Sequence, residues 1–142
     1  MTGKLFIVAT PIGNLNDITF RAVDVLKNVD IVLAEDTRHS KKLFTHFEIS
    51  TPIRAFHEHN EREKTKAIID EIHSGKSIAL ISDAGTPLIS DPGYFLVAHA
   101  KKEGIDVTPI PGPSALITAL SASGLASDSF TFFGFLPSKQ TA

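Results

Sequence analysis

The chain has 142 residues, 42% hydrophobic and 21% charged, with a formal net charge of −2 and no cysteine. That length suits one domain able to bury roughly two-thirds of its unfolded surface, and the composition is that of a globular protein, with no disordered or membrane-spanning signature. Lack of cysteine excludes disulfides, thiolate metal ligands and cysteine nucleophiles, while the slight acidity supplies no overall attraction for a polyanion, so a nucleic-acid partner would need a local patch.

Short apolar runs alternate with longer amphipathic segments, the pattern of an α/β fold with a mostly parallel sheet and helices on both faces, a Rossmann-like three-layer arrangement. Residues 5–9 are expected to form the first strand, and because Met1-Thr2-Gly3-Lys4 leads straight into it no signal peptide is expected, which makes the cytoplasm the expected location. A loop over 10–17 leads to a helix over 19–28 that buries Phe20, Val23 and Leu26 at helical spacing. Residues 30–34 are a second strand, followed by the polar cluster Glu35-Asp36-Thr37-Arg38-His39 and a helix through Lys42, Leu43 and Phe47. After a weaker strand over 52–56, Asn60 and Glu63 have the spacing of a capping box, opening a helix that ends at Gly75. A buried strand over 77–81 enters the loop 82–93, where Asp91 caps the next helix and Pro92 fills its first turn. That helix runs to about Glu103 with Gly104 as its C′ residue. A short strand over 106–108, an apolar helix over 115–122 and a final alternating strand over 130–135 complete the domain, 1–137. Residues 138–142 read as the start of a linker to a second domain.

Three loops rich in Gly and Pro, over 10–15, 83–93 and 111–115, each follow a strand and precede a helix, which puts them at the carboxyl edge of a parallel sheet where ligands bind. Any one of them alone is adequately explained as turn punctuation; three on one edge point to a pocket. Helix N-termini behind Asp91 and Pro113 would add backbone donors suited to a carboxylate or phosphate. A dinucleotide fingerprint is excluded because the first loop offers only Gly13, and Gly75-Lys76-Ser77 is no P-loop because Asp70 stands where its first glycine belongs. His57-Glu58-His59 lacks a third ligand at fixed spacing and reads as a solvated loop, so no metal is expected. In the Glu35 to His39 cluster, Asp36 or Thr37 can cap a helix; alternatively Asp36 or Glu35 accepts a proton and Arg38 contacts a phosphate.

Six blocks carry a resemblance to a known family: Val8-Ala9-Thr10-Pro11-Ile12-Gly13-Asn14-Leu15, Ala34-Glu35-Asp36-Thr37-Arg38-His39, His57-Glu58-His59-Asn60-Glu61, Ser82-Asp83-Ala84-Gly85-Thr86-Pro87 through Asp91-Pro92-Gly93, Pro111-Gly112-Pro113-Ser114-Ala115, and Gly134-Phe135-Leu136-Pro137. Together they resemble the tetrapyrrole methylase superfamily, the class III S-adenosylmethionine-dependent methyltransferases. The Thr10 to Asn14 and Gly85-Thr86-Pro87 loops resemble its ribosomal RNA ribose methylases more than its porphyrin and corrin methylases or diphthine synthase, which carry a glycine-rich first loop and Gly-Asp-Pro. The resemblance implies methyl transfer from S-adenosylmethionine to the ribose 2′-hydroxyl of a cytidine in 16S RNA of the small ribosomal subunit, by a homodimer of two-domain chains. It assigns one wall of the cofactor pocket to Thr10, Pro11, Ile12, Gly13 and Asn14, to Asp83, Ala84, Gly85, Thr86, Pro87 and Ile89, and to Pro111, Gly112, Pro113, Ser114 and Ala115. The RNA side falls to Arg38, His39, His57, His59 and Asn60, with Asp36 and Glu35 as candidate bases. A valine at Gly85 is expected to occupy the ligand's space. The competing readings are a small-molecule tetrapyrrole or corrin methylase, and a binding or dimerisation fragment without activity of its own.

Overall fold

The computed structural model describes residues 1–139. Its four-residue apolar runs become strands β1 (Leu5–Val8), β2 (Ile31–Ala34), β4 (Ile78–Ile81) and β5 (Val107–Ile110), with the shorter β3 (Ile53–Ala55). All pair in parallel, in the order β3-β2-β4-β1-β5. Every residue of β2 and β4 is buried, as an interior strand covered on both faces requires. Pro109, which lacks a ladder donor, lies in β5 at the sheet's edge, where that loss is tolerated.

Successive side chains divide between two cores because a strand alternates faces. Val8, Val32, Ala34, Ala79 and Ile81 pack against helices α1 (Phe20–Asn28) and α2 (Thr37–His46). Leu5, Ile31, Leu33, Ile78 and Leu80 meet α3 (Glu61–His73) and α4 (Tyr94–Lys102) on the other face. Neighbouring strands β1 and β4 therefore send their helices to opposite faces, the switch point at which a parallel sheet opens a crevice. A fifth helix, α5 (Ala115–Ala122), has no buried residue.

Four local expectations are corrected. Helix α4 begins at Tyr94 behind Gly93, not at Asp91, and its free N–H groups are satisfied from another helix. The Oε1 atom of Glu61, a residue only 8% exposed, accepts from the N–H groups of Gly93, Phe95 and Leu96 at 3.1, 2.9 and 3.2 Å. A buried carboxylate at the positive end of a helix displaces the local Asp91 from that role. Asn60 makes no cap bond to α3; its side chain turns back and accepts from the His57 N–H at 2.8 Å, closing the turn before the helix instead of opening the helix. Phe20 is 93% exposed, since the first position of α1 lies off the packed stripe, and Ala22 and Leu26 are buried instead. Residues 130–135 form no strand: despite their alternation they pair with no edge of the sheet, and Phe132 and Phe135 line a small cavity beside the loops. Of the expected linker, residues 140–142 lie outside the described residues. No helix among those residues is long and apolar enough to cross a membrane.

Candidate active site

The loops that follow β1, β4 and β5 lie side by side because those three strands are adjacent, and their polar atoms lock them together. Thr10 and Gly85 exchange backbone N–H···O bonds, both 3.0 Å, forming an antiparallel bridge beyond the parallel ladder. The Thr10 hydroxyl, buried, donates to the Ser82 carbonyl at 3.0 Å, and the Ser82 hydroxyl donates to the Gly85 carbonyl at 2.9 Å. Thr86 donates its hydroxyl to the Pro113 carbonyl at 3.1 Å, which ties the β4 loop to the β5 loop. Bonds of this kind, made among buried groups, hold a loop in one geometry.

Strain is concentrated in the same place. Leu88 and Ser90 have φ of 73° and 54°, left-handed values that cost a residue with a side chain on the order of 1–3 kcal/mol each. Gly85, at φ 81°, avoids that cost. A Cβ built there would meet Ile12 Cγ2 at 3.4 Å and the Pro113 carbonyl at 3.7 Å. A side chain at 85 would therefore touch both neighbouring loops at ordinary contact distance, in a backbone conformation that disfavours it. Among the glycines of these three loops, Gly13, at φ 148°, is the one where an added Cβ meets nothing within 4 Å.

Around this frame lies a cavity of about 420 Å³, within the range of small-molecule sites. Thr10, Pro11, Ile12 and Gly13 form one side, Asp83 and Ala84 another, and His39 closes a third. A smaller cavity of about 190 Å³ brings together Gly85, Thr86, Ile89, Ser114 and Ala115. Asn14, Pro87, Pro111, Gly112 and Pro113 line neither space; Asn14 caps the short 3-10 turn Leu15–Asp17 instead, accepting from the Asn16 N–H at 3.0 Å. The cavity also uses Ser40, Lys42 and Leu43, which the loop motifs missed. For Lys42 and Leu43 the available signal was their spacing from His39, three and four residues along α2; Ser40, one residue on, carried none.

The polar cluster after β2 meets the β4 loop. Asp36 donates its N–H to Asp83 Oδ1 at 3.2 Å, and the His39 Nε2 lies 3.0 Å from the Asp83 carbonyl, which makes Nε2 the protonated nitrogen of that imidazole. Asp36 is the N-cap of α2: its Oδ1 accepts from the Arg38 N–H at 2.9 Å and, more weakly, from that of His39 at 3.4 Å. Those backbone donors, with Arg38 nearby, hold its carboxyl below the usual 3.8. Arg38 is exposed and 3.6 Å from that carboxylate. Further along the edge, His57 and Asn60 contact each other while His59 is exposed, its ring 5.9 Å from that of His57.

Glu35 lies apart from Asp36, in a third cavity of about 500 Å³ shared with Glu58, Glu61 and Asp91. Burial, then the negative charges of Glu35 and Asp83, push Asp91 up from 3.8 to about 6, partly offset by Ser82. Among the described residues no group of three or more His, Cys, Asp or Glu is placed to hold a metal ion.

The sequence matches the family model described as Tetrapyrrole (Corrin/Porphyrin) Methylases over residues 4–137. It is 62% identical over 138 residues to a protein of Vibrio cholerae serotype O1 named ribosomal RNA small subunit methyltransferase I, covering 97% of this chain and 48% of that protein. A protein of the same name from Pseudomonas aeruginosa is 62% identical over 137 residues, 96% of this chain and 49% of that one. The chain thus spans about half the length of the curated relatives it matches. A crystal structure of uroporphyrin-III-C-methyltransferase from Thermus thermophilus superposes with a TM-score of 0.68 at 24% identity, over 89% of this chain and 55% of that one, and shares the fold.

Proposed function

Because the chain belongs to the tetrapyrrole methylase family, we propose that it forms one half of a site that methylates the ribose 2′-hydroxyl of a cytidine in small-subunit ribosomal RNA. The observation that carries this reading is the locked junction of three loops around an open cavity at the sheet's switch point. Ribosomal RNA as the substrate class is supported by the names of the relatives at 62% identity. In this reading residues 1–137 are one α/β domain, a second domain supplies the opposite wall, and two copies pair in the cytoplasm.

The cavity suits S-adenosylmethionine in chemistry as well as size. Pro11, Ile12, Leu15, Leu43 and Ile81 offer apolar surface for a flat ring, while Ser40 and Asp83 offer groups for a polar end. Gly13 leaves its backbone facing open space, so a ligand can approach the main chain closely. When bound, S-adenosylmethionine supplies a methyl group carried on a positively charged sulfur.

The chain's own part is to bind, orient and take up a proton. Asp83 and His39 join the cavity wall to the start of α2, where Arg38, exposed beside the Asp36 carboxylate, can meet a phosphate. His57, His59 and Asn60 extend that edge toward RNA. Asp36, committed to the cap of α2, positions Arg38 and His39; Glu35, half-buried in its own cavity, is the proton acceptor. Titration calorimetry tests the cavity: Gly13→Val is expected to weaken S-adenosylmethionine binding at least tenfold, with Gly13→Ala intermediate. Equal affinities for all three chains would overturn the assignment.

A further inference from the structure

Helix α2 carries a row of exposed polar and basic side chains beside the cavity. Arg38, Lys41, Lys42, Thr45 and His46 recur at i, i+3, i+4, i+7 and i+8, a single helical stripe, and all are exposed. No acidic residue interrupts α2. Four cations elsewhere are paired, Lys4 with Asp106, Lys66 with Asp70, and Arg54 and Lys76 with Glu71, and on α2 Arg38 lies 3.6 Å from its own cap Asp36. Among the described residues Lys41 and Lys42 have no such partner within 4.0 Å.

These side chains border a shallow groove of about 470 Å³ formed by Leu15, Lys41, Lys42, Thr45 and His46, with no carboxylate on its walls. Leu15 and Lys42 also line the 420 Å³ cavity, so groove and cavity are neighbours that share a wall. From Arg38 to His46 the stripe extends about 12 Å along the helix at 1.5 Å per residue, too long for one phosphate and suited to successive phosphates of a strand.

We propose that the α2 groove holds the phosphodiester backbone of the substrate RNA and feeds its target nucleotide toward the cavity, with Lys41 and Lys42 as the principal phosphate contacts. This rests on the RNA reading above. It also explains how a chain of net charge −2 attracts a polyanion: the positive charge is local and lies at the cavity mouth.

Fluorescence anisotropy with a labelled single-stranded oligoribonucleotide between 50 and 300 mM salt tests it. Two phosphate contacts on a single strand contribute a salt slope of about 1.4 and about 25-fold in affinity at 0.1 M salt. Lys41→Gln with Lys42→Gln is therefore expected to weaken binding about 25-fold and lower the slope by about 1.4, while Lys41→Arg with Lys42→Arg keeps both near the parent values. Lys101→Gln with Lys102→Gln removes the same charge from the far end of α4 and is expected to change affinity less than about twofold. Equal loss from both glutamine pairs, or loss from neither while the parent binds, would overturn the groove and leave the RNA reading standing. No binding by the parent chain would overturn both.

Discussion

Glu61→Ala removes one carboxylate and strands three backbone donors. Gly93 and Leu96 are buried and Phe95 half-buried, so water replaces the lost acceptor poorly. A buried donor left unsatisfied costs about 1–3 kcal/mol, and losing a helix cap costs about 0.5–2 kcal/mol. Since these overlapping accounts describe the same three N–H groups, and Phe95 can recover a water, the expected loss is about 2–4 kcal/mol. Against a typical total of about 5–15 kcal/mol that is a large share of the stability. Glu61→Gln keeps an acceptor oxygen and loses only the attraction of charge for the helix end, about 0.3–2 kcal/mol, so it should fall between the two. Urea unfolding followed by helix circular dichroism measures both, with an unchanged slope expected because the exposed surface is the same. Hydrogen exchange in residues 88–96 should quicken in the alanine variant, since the strained turn at Leu88 and Ser90 loses its anchor. A Glu61→Ala loss under about 0.5 kcal/mol would refute the claim that this carboxylate holds the start of α4.

Other expectations follow from the loop junction and its charges. Gly85→Val should destabilise the chain by about 1–3 kcal/mol, because a β-branched residue at φ 81° is strained; a urea midpoint equal to the parent's would contradict this. Thr86→Val should cost about 1–2 kcal/mol by leaving the Pro113 carbonyl without its donor, and no change in midpoint would show the bond to be idle. Asp91, raised to about 6, is more easily protonated folded than unfolded. Its contribution is therefore fully present below about pH 4 and is lost as pH rises through 6. Asp91→Asn should raise the urea midpoint relative to the parent at pH 7 and leave the two alike at pH 4; parallel curves across that range would count against it.

The apolar runs at 31–34 and 78–81 and the cap at Asp36 were legible because a short continuous apolar run marks a doubly covered strand and N-capping is decided within a few residues. The site's loops were legible for a related reason: Gly and Pro clusters after apolar runs mark the ends of parallel strands. What stayed hidden depends on distance in sequence. Asp91 looks like the cap of α4 until Glu61, thirty residues earlier, is seen to be there first. Asn60 fits a capping box, but the backbone of His57 competes for its oxygen. The aromatic alternation at 130–135 lacks an edge to pair with, which no local pattern can reveal. In the same way, the separation of Glu35 from Asp36 into different surroundings depends on Glu58 and Asp91, brought in by other loops.

The central claim is that this chain's loops form the working half of an RNA ribose methylation site. Its most direct measurement is label transfer by a chimera in which this chain replaces the matching half of the Vibrio cholerae relative, given tritiated S-adenosylmethionine and small ribosomal subunits. The account predicts label in 16S RNA on an alkali-resistant cytidine ribose, lost when Gly13→Val is introduced. Label on a porphyrinogen offered in competition, or none on RNA from a folded chimera, would contradict it.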